Sequence, residues 1–267
     1  MDSKTFEGRV VLITGGGGGL GAPFARRFAA GGATLALVGK TAEPLERAAA
    51  TLPDGTACRT FTSDVTDLRQ ISATIEEVIS AFGRLDVLIN SAARVVQGTV
   101  EEISLDHYRD MMSVYVDGVF YTCRAALPHL RANRGCIINI GSVSGLRGDW
   151  GQAAYNAAQG AITGLTNGMA LDHGHEVRVN AVHVGAAIVN DLTEAAFAPG
   201  SPIAEAWSAR IPLGRVARPD DVVDVVTFLA SDEARYLNGV HIPVDGGLTA
   251  SNGQPSLPAI LGDVVLK

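Results

Sequence analysis

The run Thr14-Gly15-Gly16-Gly17-Gly18-Gly19-Leu20-Gly21 is the first stretch of this 267-residue chain whose composition points to chemistry. Glycines between a β-branched segment and a helix-like one leave the backbone bare. Its N–H groups and the next helix N-terminus can then approach a pyrophosphate. The run parses as GxGxxG at 16, 18 and 21, or as TGxxxGxG at 14, 15, 19 and 21. Gly15, Gly18, Gly19, Leu20 and Gly21 are therefore candidate dinucleotide contacts. The following apolar run ends Leu37-Val38-Gly39-Lys40, where a fold preferring NAD would set an acidic residue against the ribose 2′-hydroxyl. Lys40 suits a 2′-phosphate instead, which favours NADP(H) over NAD(H).

Two histidine sites invite comparison. His173-Gly174-His175 has metal-ligand residue types, but it follows a helical stretch at a glycine stop and reads as a capping turn. No metal site is expected. His183 closes a β-like run, at the carboxyl end where open α/β sheets bind ligands, and is a candidate substrate contact.

The elements that must position these residues alternate from end to end. Short apolar runs at 9–14, 33–39, 58–63, 85–90, 135–141, 177–184 and 239–244 read as strands covered on both faces. Helical segments fall near 20–31, 42–51, 67–82, 107–132, 153–174 and 220–231, with Asp67 and Asp220 as caps. Right-handed crossovers then give one α/β domain over residues 1–267, a Rossmann-like doubly wound parallel sheet of seven strands. The irregular stretch 186–212 is long for an ordinary connection and suggests a substrate lid.

Composition excludes several classes. The chain is 47% hydrophobic and 18% charged, with a formal charge of −7 and three lysines (Lys4, Lys40, Lys267), which argues against a nucleic-acid partner. Three cysteines in no metal-like spacing and a polar start without a signal-peptide core point to a reducing cytoplasm. Residues 150–171 carry no formal charge. Gln152, Asn156, Gln159 and Asn167 would have to be desolvated in lipid, so a buried helix is expected and no membrane span.

Taken together, the TGxxxGxG parse, Asp64-Val65, Asn90-Ser91-Ala92-Ala93, Ser142, and Tyr155 thirteen residues later resemble the short-chain dehydrogenase/reductase family. Val179-Asn180-Ala181-Val182-His183-Val184-Gly185 and Val244-Asp245-Gly246-Gly247 extend the likeness over residues 8–247. The resemblance implies that Asp64 and Val65 hold the adenine, Asn90 and Ala92 the adenosine ribose region, and that Gly185 lies beside the nicotinamide. It implies that Ser142 binds the substrate oxygen while Tyr155 gives or takes its proton, on a ketone or secondary alcohol of a small hydrophobic or aromatic molecule. Asp149, Trp150 and Trp207 could wall that pocket, and Arg94 and Arg147 could lend it positive potential. Helices like those near 107–132 and 153–174 pair in family assemblies. Their small residues Ala125, Ala126, Ala161, Gly164 and Gly168 suggest a homotetramer or homodimer, with residues 248–267 as an extension toward a neighbour.

The sequence also departs from the family pattern. Gln159 stands where the pattern has its catalytic lysine, Tyr115 replaces the water-holding asparagine, Val184 the proline of PG, and Ser91 the second asparagine of NNAG. Gln159 can hydrogen-bond a ribose but brings no charge, so Tyr155 lacks the usual aid to ionisation. Three functions follow: an NADP(H)-dependent oxidoreductase with a modified proton-transfer site, an altered catalyst such as a cyclase, isomerase or dehydratase, or a silent subunit paired with an active relative.

Overall fold

The computed structural model describes residues 5–254. Strands β1 (Val10–Thr14), β2 (Thr34–Gly39), β3 (Cys58–Thr62), β4 (Val87–Asn90), β5 (Cys136–Ser142), β6 (Arg178–Val184) and β7 (His241–Val244) form one sheet in the order β3-β2-β1-β4-β5-β6-β7. Every neighbouring pair is parallel. The chain builds outward through β2 and β3, returns to lay β4 beside β1, and continues to β7. That reversal opens a crevice beyond the carboxyl ends of β1 and β4.

Helices cover both faces, as the buried runs Val10–Thr14 and Val87–Asn90 require. On one side α1 (Gly21–Ala30) contributes Phe24 and Phe28 and α9 (Pro219–Ala230) contributes Val222 and Val226. On the other, α3 (Leu68–Phe82) packs Ile71 and Ile75 beside Cys123 and Ala126 of α5 (Val119–Ala132). α2 (Ala42–Ala50) adds Leu45 to the first core. Ala126 is thus spent inside this core rather than at an assembly face, whereas a side chain at Gly164 or Gly168 would meet open space.

A buried polar chain ties the middle of the sheet to α6 (Ala153–His173). Asn90 Nδ2 donates to Asn139 Oδ1 at 2.9 Å, and Asn139 Nδ2 donates to Thr166 Oγ1 at 2.9 Å. A buried amide left unpaired costs about 1–3 kcal/mol, so this chain fixes the depth of β4, β5 and α6 beneath the crevice.

Several expected elements are redrawn. The helix anticipated over 107–132 is three pieces: α4 (Leu105–Met112), a π-helical turn (Ser113–Gly118) and α5. A Cβ at Gly118 would lie 2.9 Å from Val65 Cγ2, so the backbone approaches the β3–α3 loop closely where the helix widens. The widened turn also carries Tyr115, only 3% exposed, into the interior. Asp67 caps α3 as expected, but α9 starts at Pro219, and Asp221, not Asp220, accepts the Arg218 N–H at 2.7 Å. Residues 186–212 hold two short helices, α7 (Asp191–Ala196) and α8 (Pro202–Ser208), capped by Asn190 and Ser201. His173 ends α6 and its carbonyl accepts from Glu176 and Val177, so the His-Gly-His turn is a helix stop. No helix among the described residues is long and apolar enough to cross a membrane. Residues 255–267 of the anticipated extension lie outside the described residues.

Candidate active site

The glycine run makes the tight turn from β1 into α1. Gly15 takes φ +67°, a left-handed conformation open to glycine, and a Cβ there would meet Ser91 O at 2.8 Å. At Gly21 a Cβ would fall 2.1 Å from Gly15 O, so the helix can begin this close to the strand only without a side chain. Gly18 and Gly19 have nothing within 4 Å of a Cβ, and they face the crevice. Thr14, which the motif contains but whose part sequence reasoning missed, staples the turn to β4. Its Oγ1 accepts from Ser91 N at 3.0 Å and Ala92 N at 3.2 Å. The result is a bare backbone cradle at a helix N-terminus, matched to a phosphate-bearing ligand.

This cradle is one wall of a cleft of about 550 Å³ that also takes in Tyr115, Ser142, Tyr155, Gln159 and Gly185. Ser142 ends β5, Tyr155 lies in the first turn of α6, and Gln159 follows one turn later on the same face. Gln159 is 1% exposed, and its Oε1 accepts the Ser142 N–H at 3.0 Å. Its amide N–H groups are thereby left for the cleft. Ser142 Oγ accepts from Ser144 N at 3.2 Å and lies 3.1 Å from Ser144 Oγ, which donates onward to Asp149 Oδ2 at 3.5 Å. Ser144 was not singled out from the sequence; only its offset of two from Ser142 could have drawn attention to it.

Burial pushes the Tyr155 hydroxyl above its ordinary pKa, while hydrogen-bonding groups of Ser142, Tyr115 and Gln159 pull the other way and the Asp149 charge adds to the rise. Tyr155 is thus held as the neutral phenol. Burial raises Tyr115 further still, and its Oη accepts the Arg94 N–H at 3.1 Å. The two tyrosine rings meet edge to face, 5.7 Å between centroids. The tyrosine pair and the Gln159 amide thus form a neutral, hydrogen-bond-rich wall beside Ser142.

A family model described as enoyl-(acyl carrier protein) reductase matches residues 16–249. Meso-2,3-butanediol dehydrogenase of Serratia marcescens is 46% identical over 94% of this chain and 99% of that protein. 2-(S)-hydroxypropyl-CoM dehydrogenase 3 of Xanthobacter autotrophicus is 38% identical over 93% of this chain and 99% of that protein. Among solved structures, levodione reductase superposes with TM-score 0.86 at 34% identity, covering 92% of this chain and 99% of the other. The chain belongs to the short-chain dehydrogenase/reductase family. It is an NAD(P)-dependent oxidoreductase that moves hydride to or from secondary alcohols.

Within that family frame the remaining sequence candidates separate. Lys40, the one lysine among the described residues, pairs with Asp64 at 2.7 Å and is not among the residues lining the cleft with Gln159. Val65 packs under Gly118, and Ala92 lines the cleft. Asn90 does not turn its side chain to the crevice: Nδ2 is used by Asn139 and lies 3.2 Å from Cys123 Sγ. Gly185 is glycine of necessity, since a Cβ would lie 2.8 Å from Asp245 Cβ. Asp245 in turn folds the Val-Asp-Gly-Gly turn by accepting from Gly247 N and Thr249 N.

Six further candidates lie around the cleft rather than among the residues that line it. His183 is fully buried between β6 and α6; its Nδ1 donates to Ser142 O at 3.0 Å and its Nε2 faces His241 Nδ1 at 3.0 Å. Desolvation lowers its pKa, which favours the neutral imidazole. Arg94 turns its guanidinium to Asp110 at 2.8 Å and lies close enough to Lys40 for its charge to be felt there. Arg147, Asp149, Trp150 and Trp207 line a second cavity of about 520 Å³ beside the first. No cluster of three metal-ligating side chains occurs among the described residues.

Proposed function

We propose that the chain is an NADP(H)-accepting reductase and dehydrogenase of small ketones and secondary alcohols, with Tyr155 as the acid/base and Ser142 as the oxygen-binding group. The observation that carries this reading is the convergence of Ser142, Tyr155 and Gln159 on one cleft with the bare glycine cradle. The cradle tests well for a dinucleotide. Positions 15 and 21 admit no side chain, and positions 18 and 19 are open. Gly15, Gly18, Gly19, Leu20 and Gly21 would hold the pyrophosphate, with Asp64 and Val65 near the adenine and Gly185 near the nicotinamide. When bound, the nicotinamide supplies or accepts the hydride.

The chain's own residues do the rest. Ser142 donates its hydroxyl hydrogen to the carbonyl oxygen, its Oγ oriented by the Ser144 N–H. Tyr155 delivers a proton to the same oxygen as hydride arrives at carbon, and in the reverse direction its phenolate takes that proton back. The Gln159 amide, anchored through Oε1, donates toward Tyr155 or the ribose. It stabilises a phenolate by hydrogen bonding alone, without the charge a lysine would bring. Reduction, which starts from the neutral phenol, is therefore the direction the site is built to run at neutral pH. A cyclase, isomerase or silent partner would leave this Ser–Tyr pair and the open turn without a use. Relatives named for butanediol and hydroxypropyl substrates support a short alcohol bearing a second polar group. Association through α5 and α6 into a homodimer or homotetramer belongs to the same proposal.

Lys40 sets the cofactor preference. Its ammonium must share Asp64 with a 2′-phosphate, and it is 78% exposed, so the advantage is small. NADPH is expected to bind a few-fold more tightly than NADH, and Lys40→Ala to equalise them, as read by calorimetric titration. Equal affinities in the parent protein, unmoved by the substitution, would overturn the preference.

A further inference from the structure

The second cavity holds an imbalance of charge that the catalytic reading does not use. It is bounded by the β5–α6 loop with Arg147, Asp149 and Trp150, by the end of α8 and the turn after it with Trp207 and Arg210, and by residues following the Val-Asp-Gly-Gly turn. In a chain of net charge −7, nine lysines and arginines among the described residues pair with carboxylates. Ten arginines do not, and two of those ten, Arg147 and Arg210, line this one cavity. Arg147 spends one N–H on the neighbouring Leu146 O at 3.0 Å, and Arg210 makes no side-chain hydrogen bond among the described residues. Asp149, the carboxylate that shares the cavity, is already occupied: Oδ1 accepts from Trp150 N at 2.9 Å, and Oδ2 from Gln152 Nε2 at 3.1 Å and Ser144 Oγ at 3.5 Å.

We infer that this cavity is an anion subsite, and that the substrate is a ketone or secondary alcohol carrying a carboxylate arm; the second half rests on the reading above. Ser144 lines this cavity while Ser142 lines the catalytic cleft, and their hydroxyl oxygens lie 3.1 Å apart. The catalytic cleft and the cavity lined by Arg147 and Arg210 thus adjoin at this pair of hydroxyls. Two forks facing one cavity from different elements suit the two oxygens of a carboxylate. Trp150 and Trp207 offer flat apolar faces to the arm between them.

These are also the chain's two tryptophans, so tryptophan emission reports on this cavity specifically. The test titrates the full-length protein with 4-oxopentanoate and with its methyl ester, reading emission, and in parallel measures reduction of both by NADPH and NADH. The acid is expected to bind about tenfold more tightly than the ester. Arg147→Met and Arg210→Met should each cut that ratio roughly fivefold, added salt should shrink it, and Arg147→Lys should restore part of it. If reduction occurs, the same substitutions should raise KM for the acid with kcat little changed. Equal binding of acid and ester, no binding of either, or a preference surviving the double substitution would overturn the subsite. An anion preference in emission without reduction of either compound would uphold the subsite and defeat the oxidoreductase mechanism; reduction without a preference would do the reverse.

Discussion

Alcohol oxidation by this protein should rise about tenfold per pH unit from pH 6 through neutrality and still be climbing at pH 9, while carbonyl reduction stays nearly flat. The reason lies in Tyr155. A phenol at its reference pKa of about 10 is ionised in roughly one part in a thousand at pH 7, and burial here moves the group upward. Oxidation needs the phenolate; as pH rises toward the raised pKa, each unit gives about tenfold more of it. Reduction uses the phenol, which is already fully present. Gln159→Lys should shift the oxidation profile to lower pH and raise the rate at neutrality, because an ammonium adds the Coulomb attraction that an amide lacks. Initial rates in both directions across pH check this, with proton transfer established as rate-limiting by a solvent isotope effect. An oxidation profile already level at pH 7 would mean that another group carries the proton.

A methyl group at Gly21 should be more damaging to nucleotide binding than any charge change at the rim. With its Cβ 2.1 Å from Gly15 O, Gly21→Ala cannot be accommodated without moving α1 off the β1 turn. Overpacking of this kind costs about 1–3 kcal/mol of stability, and displacement of the cradle should weaken NADH and NADPH alike by more than tenfold. Gly18→Ala is the informative control. Its Cβ meets nothing within 4 Å, so the fold should keep its melting temperature while the new methyl projects where the ligand would lie and affinity still falls. Thermal melts beside calorimetric titration separate the two. Unchanged affinity in both variants would show that the glycine turn holds no nucleotide.

The strands, their parallel pairing and the phosphate turn were legible because they rest on local signals: buried runs of β-branched residues, glycines between a strand and a helix, and a cap such as Asp67. What escaped is set by contacts across the sequence. Asn90 looked like a crevice residue at the end of β4, but Asn139 on the neighbouring strand supplies a partner 49 positions away and turns it inward. His183 occupied the right end of β6, yet its side chain faces His241 and the Ser142 carbonyl. Lys40 and Asp64 were read as separate contacts, one for a phosphate and one for adenine, and the fold pairs them. The π-turn before α5 has no periodicity signature that a window over 107–132 could reveal, and it is this turn that carries Tyr115 against Tyr155.

Transfer of deuterium tests hydride transfer at the Ser142–Tyr155 site without relying on optical signals. The protein is mixed with NADPH carrying deuterium on the transferable face of C4, and with butane-2,3-dione, and the alcohol formed is examined by mass spectrometry. One deuterium is expected on the carbinol carbon of the product at pH 7 with Gln159 in place, and loss of that product in Tyr155→Phe. Nucleotide binding without deuterium in any alcohol, or transfer undiminished in Tyr155→Phe, would contradict it.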